Sequence, residues 1–324
     1  MSLIEEIAEA VNVVENQTKE IREYINDPRK HYKLRQNKPL FSQICSSLDV
    51  IGDTEQAITA FEAGEFGDST AGRYLAIYGL LQAIYVQQDA VDNLCEGLGI
   101  PENIKKYPTL LQIREIRNDV VGHPTKRNRP KSNPTSYHHI SRSSLGSTSL
   151  NIFSFSGNGT SKHRSINILG LVSEQKKYIS AILSTLTGRL EAEDKAHKEK
   201  FRMEKLVNLL PDAMDYGFEK VFEGINTASN RENGAICLKL IHDCYNQLIE
   251  KLKEREEYPA NNVLVHHIDD ILYPIKKLEA FFEDSAENTL SEKDAYIFAS
   301  FLSNKHSYIL ELLKEIDEEY EKGT

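Results

Sequence analysis

The chain has 324 residues, 40% of them hydrophobic and 27% charged, a balance that fits a folded globular protein of one large or two ordinary domains. Its formal net charge of −10 argues against a general nucleic-acid coat. It contains no apolar run of about 18 residues and no basic-then-apolar leader, so it predicts neither a membrane span nor secretion, and a cytoplasmic protein is expected.

Ile4, Ile7, Val11, Val14, Thr18, Ile21 and Ile25 follow a three–four alternation and predict a helix with a narrow apolar stripe. Such a stripe suits a single neighbour, either this chain's own domain or a second copy. Asn26-Asp27-Pro28 ends the helix. The basic link Arg29–Arg35, with Tyr32 in it, reads as a solvated linker, RNA contact being the alternative. A second helix is predicted from Leu40 to Phe61, with Ile44, Leu48, Ile51 and Ile58 inward and a bend at Gly52-Asp53. Cys45 and Cys95, like Cys237 and Cys244 later, form no C-x-x-C pair and read as buried thiols. Arg73–Leu94 predicts a long helix on which Tyr74, Tyr78, Gln82, Tyr85 and Asp89 share one tilted stripe. That stripe is either core or a polar seam facing the next helix.

Gly97–Pro108 turns the chain, and Thr109 is placed to cap a helix bearing Leu110, Ile113, Ile116, Val120 and Val121. Arg114, Arg117 and Asn118 fall on one face of it. Gly122, expected in the left-handed cap conformation, and Pro124 stop the helix. His123 then stands at the helix end, close to unpaired carbonyls that favour a cation. A guanidinium beside an imidazole is a combination that handles phosphate and protons. On residue types alone, a solvated basic face capped by a His is the plainer alternative.

Beyond His123 the character changes. No Asp or Glu occurs from Val120 to Ser173, while Lys126, Arg127, Arg129, Lys131, Arg142, Lys162 and Arg164 do. Three strands are predicted at Tyr137–Ser143, Leu150–Ser156 and His163–Leu169, with turns near Gly146 and at Gly157-Asn158-Gly159; a Ser-rich mobile loop is the alternative. Functionally the stretch reads as a basic arm, with Tyr137, Phe153 and Phe155 available to stack on single-stranded nucleic acid. Helix resumes at Ser173 on a stripe of Ile179, Ile182, Leu183, Leu186 and Leu190 and is expected to run to about Leu210, with Pro211 as a domain boundary. The last third is helical throughout, with stripes on Cys237–Leu252, Ile268–Phe282 (kinked at Pro274) and Phe298–Ile316.

Arg117-Asn118-Asp119-Val120-Val121-Gly122-His123 resembles the R-x(4–6)-H signature of the HEPN superfamily, with a polar residue right after the Arg, near the end of a strong helix that follows another long helix. The resemblance covers roughly Leu40–Leu190. It implies a HEPN-like helical bundle; with the periodicities above, the whole chain reads as all-α, with a small inserted β-meander and a C-terminal helical region. The domains expected are 1–210, with the basic insertion at about 126–170, and 211–324. It also implies a metal-independent endoribonuclease acting as a homodimer in phage defence or as a toxin, with a protein antitoxin or defence partner. In that reading Arg117 binds the scissile phosphate, His123 moves protons and Asn118 orients, while Arg114, Lys126, Arg127, Arg129 and Lys131 hold RNA. Some HEPN toxins carry a modified Tyr closely following the His; here Pro124, Thr125 and Lys126 stand there, which puts that regulation in doubt. No phosphate-binding loop, dinucleotide fingerprint, nucleophile elbow or H-E-x-x-H occurs, and neither His138-His139 nor His266-His267 has a chelating spacing, so no cofactor and no metal are expected. Two rivals stay open: a non-catalytic HEPN-like module binding RNA or protein, and a helical adaptor whose Arg–His pair is an internal cap.

Overall fold

The computed structural model describes residues 13–128, 135–142, 145, 149–284 and 288–322. The chain is mostly helical with one small antiparallel sheet, and among the described residues no helix is long and apolar enough to cross a membrane. It divides into two compact units. The first holds the described residues up to Asn26 together with Leu34–Leu190; the second holds Asp27–Lys33 and the chain from Glu191. Pro211 therefore falls inside the second unit.

In the first unit, α1 (Val13–Asn26) buries Val14, Thr18, Ile21 and Ile25 in the unit's own core, so this part of the narrow stripe needs no second copy. Ile4, Ile7 and Val11 lie outside the described residues. After α2 (Pro28–Arg35, in the second unit), α3 (Lys38–Glu62) runs unbroken through Gly52-Asp53, and α4 (Thr70–Gly97) packs along it. The side chain of Asn37 caps α3 and that of Ser69 caps α4, each accepting a backbone N–H in the first turn. The core is not purely apolar. Gln175 donates to Gln87 at 2.9 Å, Gln87 to Glu55 at 2.9 Å and Gln88 to Gln175 at 2.7 Å, a buried chain of amides whose geometry fixes how the helices meet.

Next come α5 (Pro108–Arg117), a π-helical turn at Asn118–Gly122, and three strands, β1 (Ser136–Ile140), β2 (Ser149–Ser156) and β3 (Ser161–Asn167). The strands form a meander in the order β1-β2-β3, with Tyr137 opposite Phe155 and Phe153 opposite His163. Ile140, Leu150 and Ile152 point inward to the core. The meander expected from the sequence is thus present, with strand ends shifted by up to three residues, β1 stopping at Ile140; Ser143 and the turn expected near Gly146 lie outside the described residues. Its last turn carries Gly159 at φ +85°, a backbone that favours glycine.

The helix after β3, α6 (Ile168–Phe201), starts five residues before the predicted Ser173, with the side chain of Asn167 accepting from Gly170 N–H at 3.1 Å. It ends at Phe201 rather than near Leu210, a short 3₁₀ turn at Leu206–Leu209 following. The division between units falls within α6. Its charged end, which reads as a solvated face, is partly engaged: in the second unit Asp194 accepts from Arg29 at 2.6 Å and Glu193 pairs with Lys30 at 2.5 Å. Arg29 and Lys30 of the presumed linker are therefore structural cations. The rest of that unit is α7 (Ala213–Asn226), α8 (Arg231–Glu254), α9 (Asn262–Phe282, with Pro274 inside it) and α10 (Glu292–Lys322). Their core includes Val221, Leu248, Ile271 and Ile309. Gly224 and Gly234 let α7 and α8 approach: a Cβ at Gly224 would lie 2.9 Å from the Gly234 Cα.

Candidate functional site

The signature segment lies at the end of α5. Tyr107 is the cap and Pro108 opens the helix, where its missing N–H costs nothing; Thr109 lies inside the first turn and caps nothing. The helix keeps α geometry to Arg117 and then widens by one residue per turn. His123 N–H closes the π turn on the Asn118 carbonyl at 2.8 Å. Single π turns of this kind recur at functional sites. Gly122 is not the left-handed cap the sequence predicts, since its φ lies outside that region. It is small for another reason: a Cβ there would stand 2.9 Å from Arg117 Nη1 and 3.4 Å from Asn118 Oδ1. The space that Gly122 leaves is occupied by the Arg117 guanidinium, which brings Arg117 next to the residue preceding His123.

Three groups hold that guanidinium. Gln82 Oε1 accepts from Nη2 at 2.8 Å and from Nε at 3.2 Å, Asn118 Oδ1 accepts from Nη1 at 3.1 Å, and the Tyr85 ring lies 4.2 Å away. Arg114 stacks on the same ring at 4.0 Å and donates to Asp89 at 2.7 Å. Gln82, Tyr85 and Asp89 are thus the polar seam of α4 facing the motif helix, the second of the two readings that the sequence left open. The two arginines differ in charge balance. Arg114 is neutralised by a carboxylate, whereas among the described residues no carboxylate pairs with Arg117. The ring's negative face and two amide oxygens orient its charge without cancelling it. His123 is exposed, and its imidazole makes no hydrogen bond to the described residues. Asn118 positions Arg117, a narrower role than orienting phosphate or His.

Asp119, inside the motif, faces the other way. It is 1% exposed, and Arg127, Arg164 and His138 surround it, His138 Nε2 at 3.3 Å. Burial pushes its pKa up, but hydrogen bonds from the two guanidiniums outweigh that and hold the carboxyl below its ordinary range. His138 is fixed further by Ser154 at 2.8 Å and Ser136 at 2.9 Å. This cluster ties the π turn to the inner face of the sheet. It also changes the reading of Arg127, expected to hold RNA: its side chain is 11% exposed, donates to both Glu115 oxygens at 2.8 Å and bonds Asp119. Arg127 clamps the chain that leaves His123. Lys126 remains exposed, and Arg129 and Lys131 lie outside the described residues. Sequence reasoning missed Asp119, His138 and Arg164. The available signal was that Asp119 is the last acid before the long acid-free stretch.

Beside the π turn lies a cleft of about 570 Å³, lined among others by Tyr74 and Tyr78 of α4, Pro124, and His139, Arg142 and Phe153 from β1, its end and β2. Arg117 and His123 do not line it. The four cysteines are free thiols, and burial pushes Cys95 up to about 12, which makes it a poor nucleophile. Among the described residues no group of three or more His, Cys, Asp or Glu is gathered as a metal site. Compared with family models, with curated proteins and with solved structures, the chain matches none.

Proposed function

We propose that this chain is a metal-independent endoribonuclease of the HEPN type, acting as a homodimer in the cytoplasm. The observation that carries the reading is the Arg117 guanidinium, held by uncharged groups against Gly122 and left with its charge free, one residue from an exposed His123. In the proposed reaction the RNA 2′-hydroxyl attacks the adjacent phosphorus, the bond to the 5′-oxygen breaks, and a 2′,3′-cyclic phosphate is left. Arg117 stabilises the charge that develops on the non-bridging oxygens, and the imidazole of His123 takes or gives the proton. Lys126, exposed beyond the turn, extends the phosphate track, while Arg114, expected to hold RNA, is paired with Asp89 and holds the seam. A role in phage defence or as a toxin, with an antitoxin or defence protein as partner, follows from the same resemblance.

The test is purified protein on mixed RNA with EDTA present, wild type beside His123→Ala. Cleavage by the wild type, lost in the variant, is the expected result. Equal cleavage by both would overturn the site. RNA binding without cleavage by the wild type would favour the non-catalytic module. For the adaptor, Arg117→Ala would lower the melting temperature sharply and no version would cut RNA.

A further inference from the structure

We infer that the outer face of the three-stranded sheet is a base-stacking platform for single-stranded RNA, leading into the cleft beside the π turn. The inference rests on the ribonuclease reading only in taking RNA as the nucleic acid. Its starting point is the register. Alternate residues of each strand share a face, and the face turned from the core carries Tyr137, His139, Phe153, Phe155 and His163. They form two rows across the strands, Tyr137–Phe155–Ser161 and His139–Phe153–His163. His139 lies nearly flat against both phenylalanines, 5.5 Å from Phe155 at 15° and 5.4 Å from Phe153 at 23°, while His163 sits tilted against Phe153 at 4.8 Å and 42°.

Rings on a solvated sheet face are unusual where Ser and Thr would suffice. Tyr137 is 42% and Phe155 44% exposed, so the face keeps aromatic surface in water. Its partner is set by charge. No acidic residue occurs anywhere on these strands. Arg142, just past β1, and Lys162, at the start of β3 and in register with Ser154 on the other face from the rings, are both exposed, and neither pairs with a carboxylate among the described residues. Aromatic faces for bases, with unpaired cations at the strand ends for phosphates, match single-stranded nucleic acid. A folded acidic protein would use the cations but not the parallel rings. His139 and Phe153 belong both to the platform and to the cleft, which Tyr78, Arg142 and Pro124 also line. The strand's path therefore continues from the sheet toward the segment that carries His123.

The experiment measures fluorescence anisotropy of a labelled single-stranded oligouridine, in a His123→Ala background so that the RNA stays intact. Tyr137→Ala and Phe155→Ala should each raise Kd by about tenfold, since a stacked base contributes that much or more. Ser161→Glu, which adds a carboxylate to an exposed position on the same face, should weaken binding without removing a ring. Lys162→Ala should lower the slope of log Kd against log salt by about one. Melting temperatures should not move, and the same RNA as a duplex should bind more weakly. Unchanged affinity in Phe155→Ala and Ser161→Glu, or no binding of single-stranded RNA at low salt, overturns the platform. If the wild type cleaves RNA and these variants bind and cleave as it does, the platform alone fails. If the platform variants lose binding and the wild type cuts nothing, the ribonuclease reading alone fails.

Discussion

Arg117 is fastened by partners that carry no charge, and this makes Gln82 informative. Gln82→Glu would keep the geometry of the two hydrogen bonds and turn them into an ion pair with Arg117. A purely structural arginine should tolerate or welcome that change. An arginine whose charge is spent on phosphate should not. The expected outcome is an equal or higher melting temperature together with a loss of RNA cleavage of at least tenfold. Arg117→Lys should fail as well, because a point charge cannot reproduce the planar fork. Gly122→Ala probes the same contact from below. The added Cβ would meet Arg117 Nη1 at 2.9 Å, the far end of a flexible side chain, so the guanidinium can move away cheaply. Stability should change by less than about 1 kcal/mol. Cleavage should fall roughly 10²-fold, as expected when a group is displaced by about an ångström from its working position. Parallel melting curves and initial rates check both. A large stability loss with unchanged rate would show that the contact matters for folding and not for the reaction.

The π turn and the sheet are joined through Asp119, which sets the next prediction. Asp119→Asn leaves two guanidiniums facing a neutral amide, and breaking a buried, multiply bonded pair costs about 3 kcal/mol or more. The pH dependence has a definite sign. The folded-state carboxyl titrates below its ordinary value. Its contribution to stability is therefore complete above the unfolded pKa of about 3.9 and is lost as pH falls through the lower, folded-state pKa. Wild-type stability should drop across that acid window, and Asp119→Asn should lack this component. Identical pH profiles would remove the cluster from the account. The same elements show what could be read in advance. Helices α3, α4 and α6 and the meander were legible because their apolar stripes and Gly-rich turns act locally. The π turn was not, because nothing in Asn118–Gly122 distinguishes a wide turn from an ordinary helix end until Arg117 folds back over Gly122. Arg127 was misread for a related reason. A basic run predicts surface charge, but whether a given cation is free depends on Glu115 and Asp119, which only the folded turn brings to it.

At the scale of the molecule, the sequence placed the boundary at Pro211 because a proline after a charged helix is a strong local signal. The division falls instead within α6, where Arg29 and Lys30 meet Asp194 and Glu193 from far along the chain, a pairing that no local pattern announces. The N-terminal stripe, offered by the sequence as one sign of a second copy, is buried in its own unit where it is described. The case for a homodimer therefore rests on chemistry. The proposed reaction moves two protons, one off the 2′-hydroxyl and one onto the departing 5′-oxygen, and the π turn presents one exposed imidazole beside Arg117. In the proposed homodimer, two copies meeting at this turn would supply two, each His123 following the Gly122 against which Arg117 packs. Sedimentation should then show a dimer at micromolar concentration, and a monomer alone would sink the shared cleft. Mixing offers a sharper measurement. When wild type is combined with increasing His123→Ala at constant total protein, independent sites lose activity in proportion to the wild-type fraction. A cleft that needs His123 from both copies loses activity with the square of that fraction, because only wild-type pairs remain competent. The squared dependence is the expected result, and a straight line through the origin would place the whole reaction within one chain.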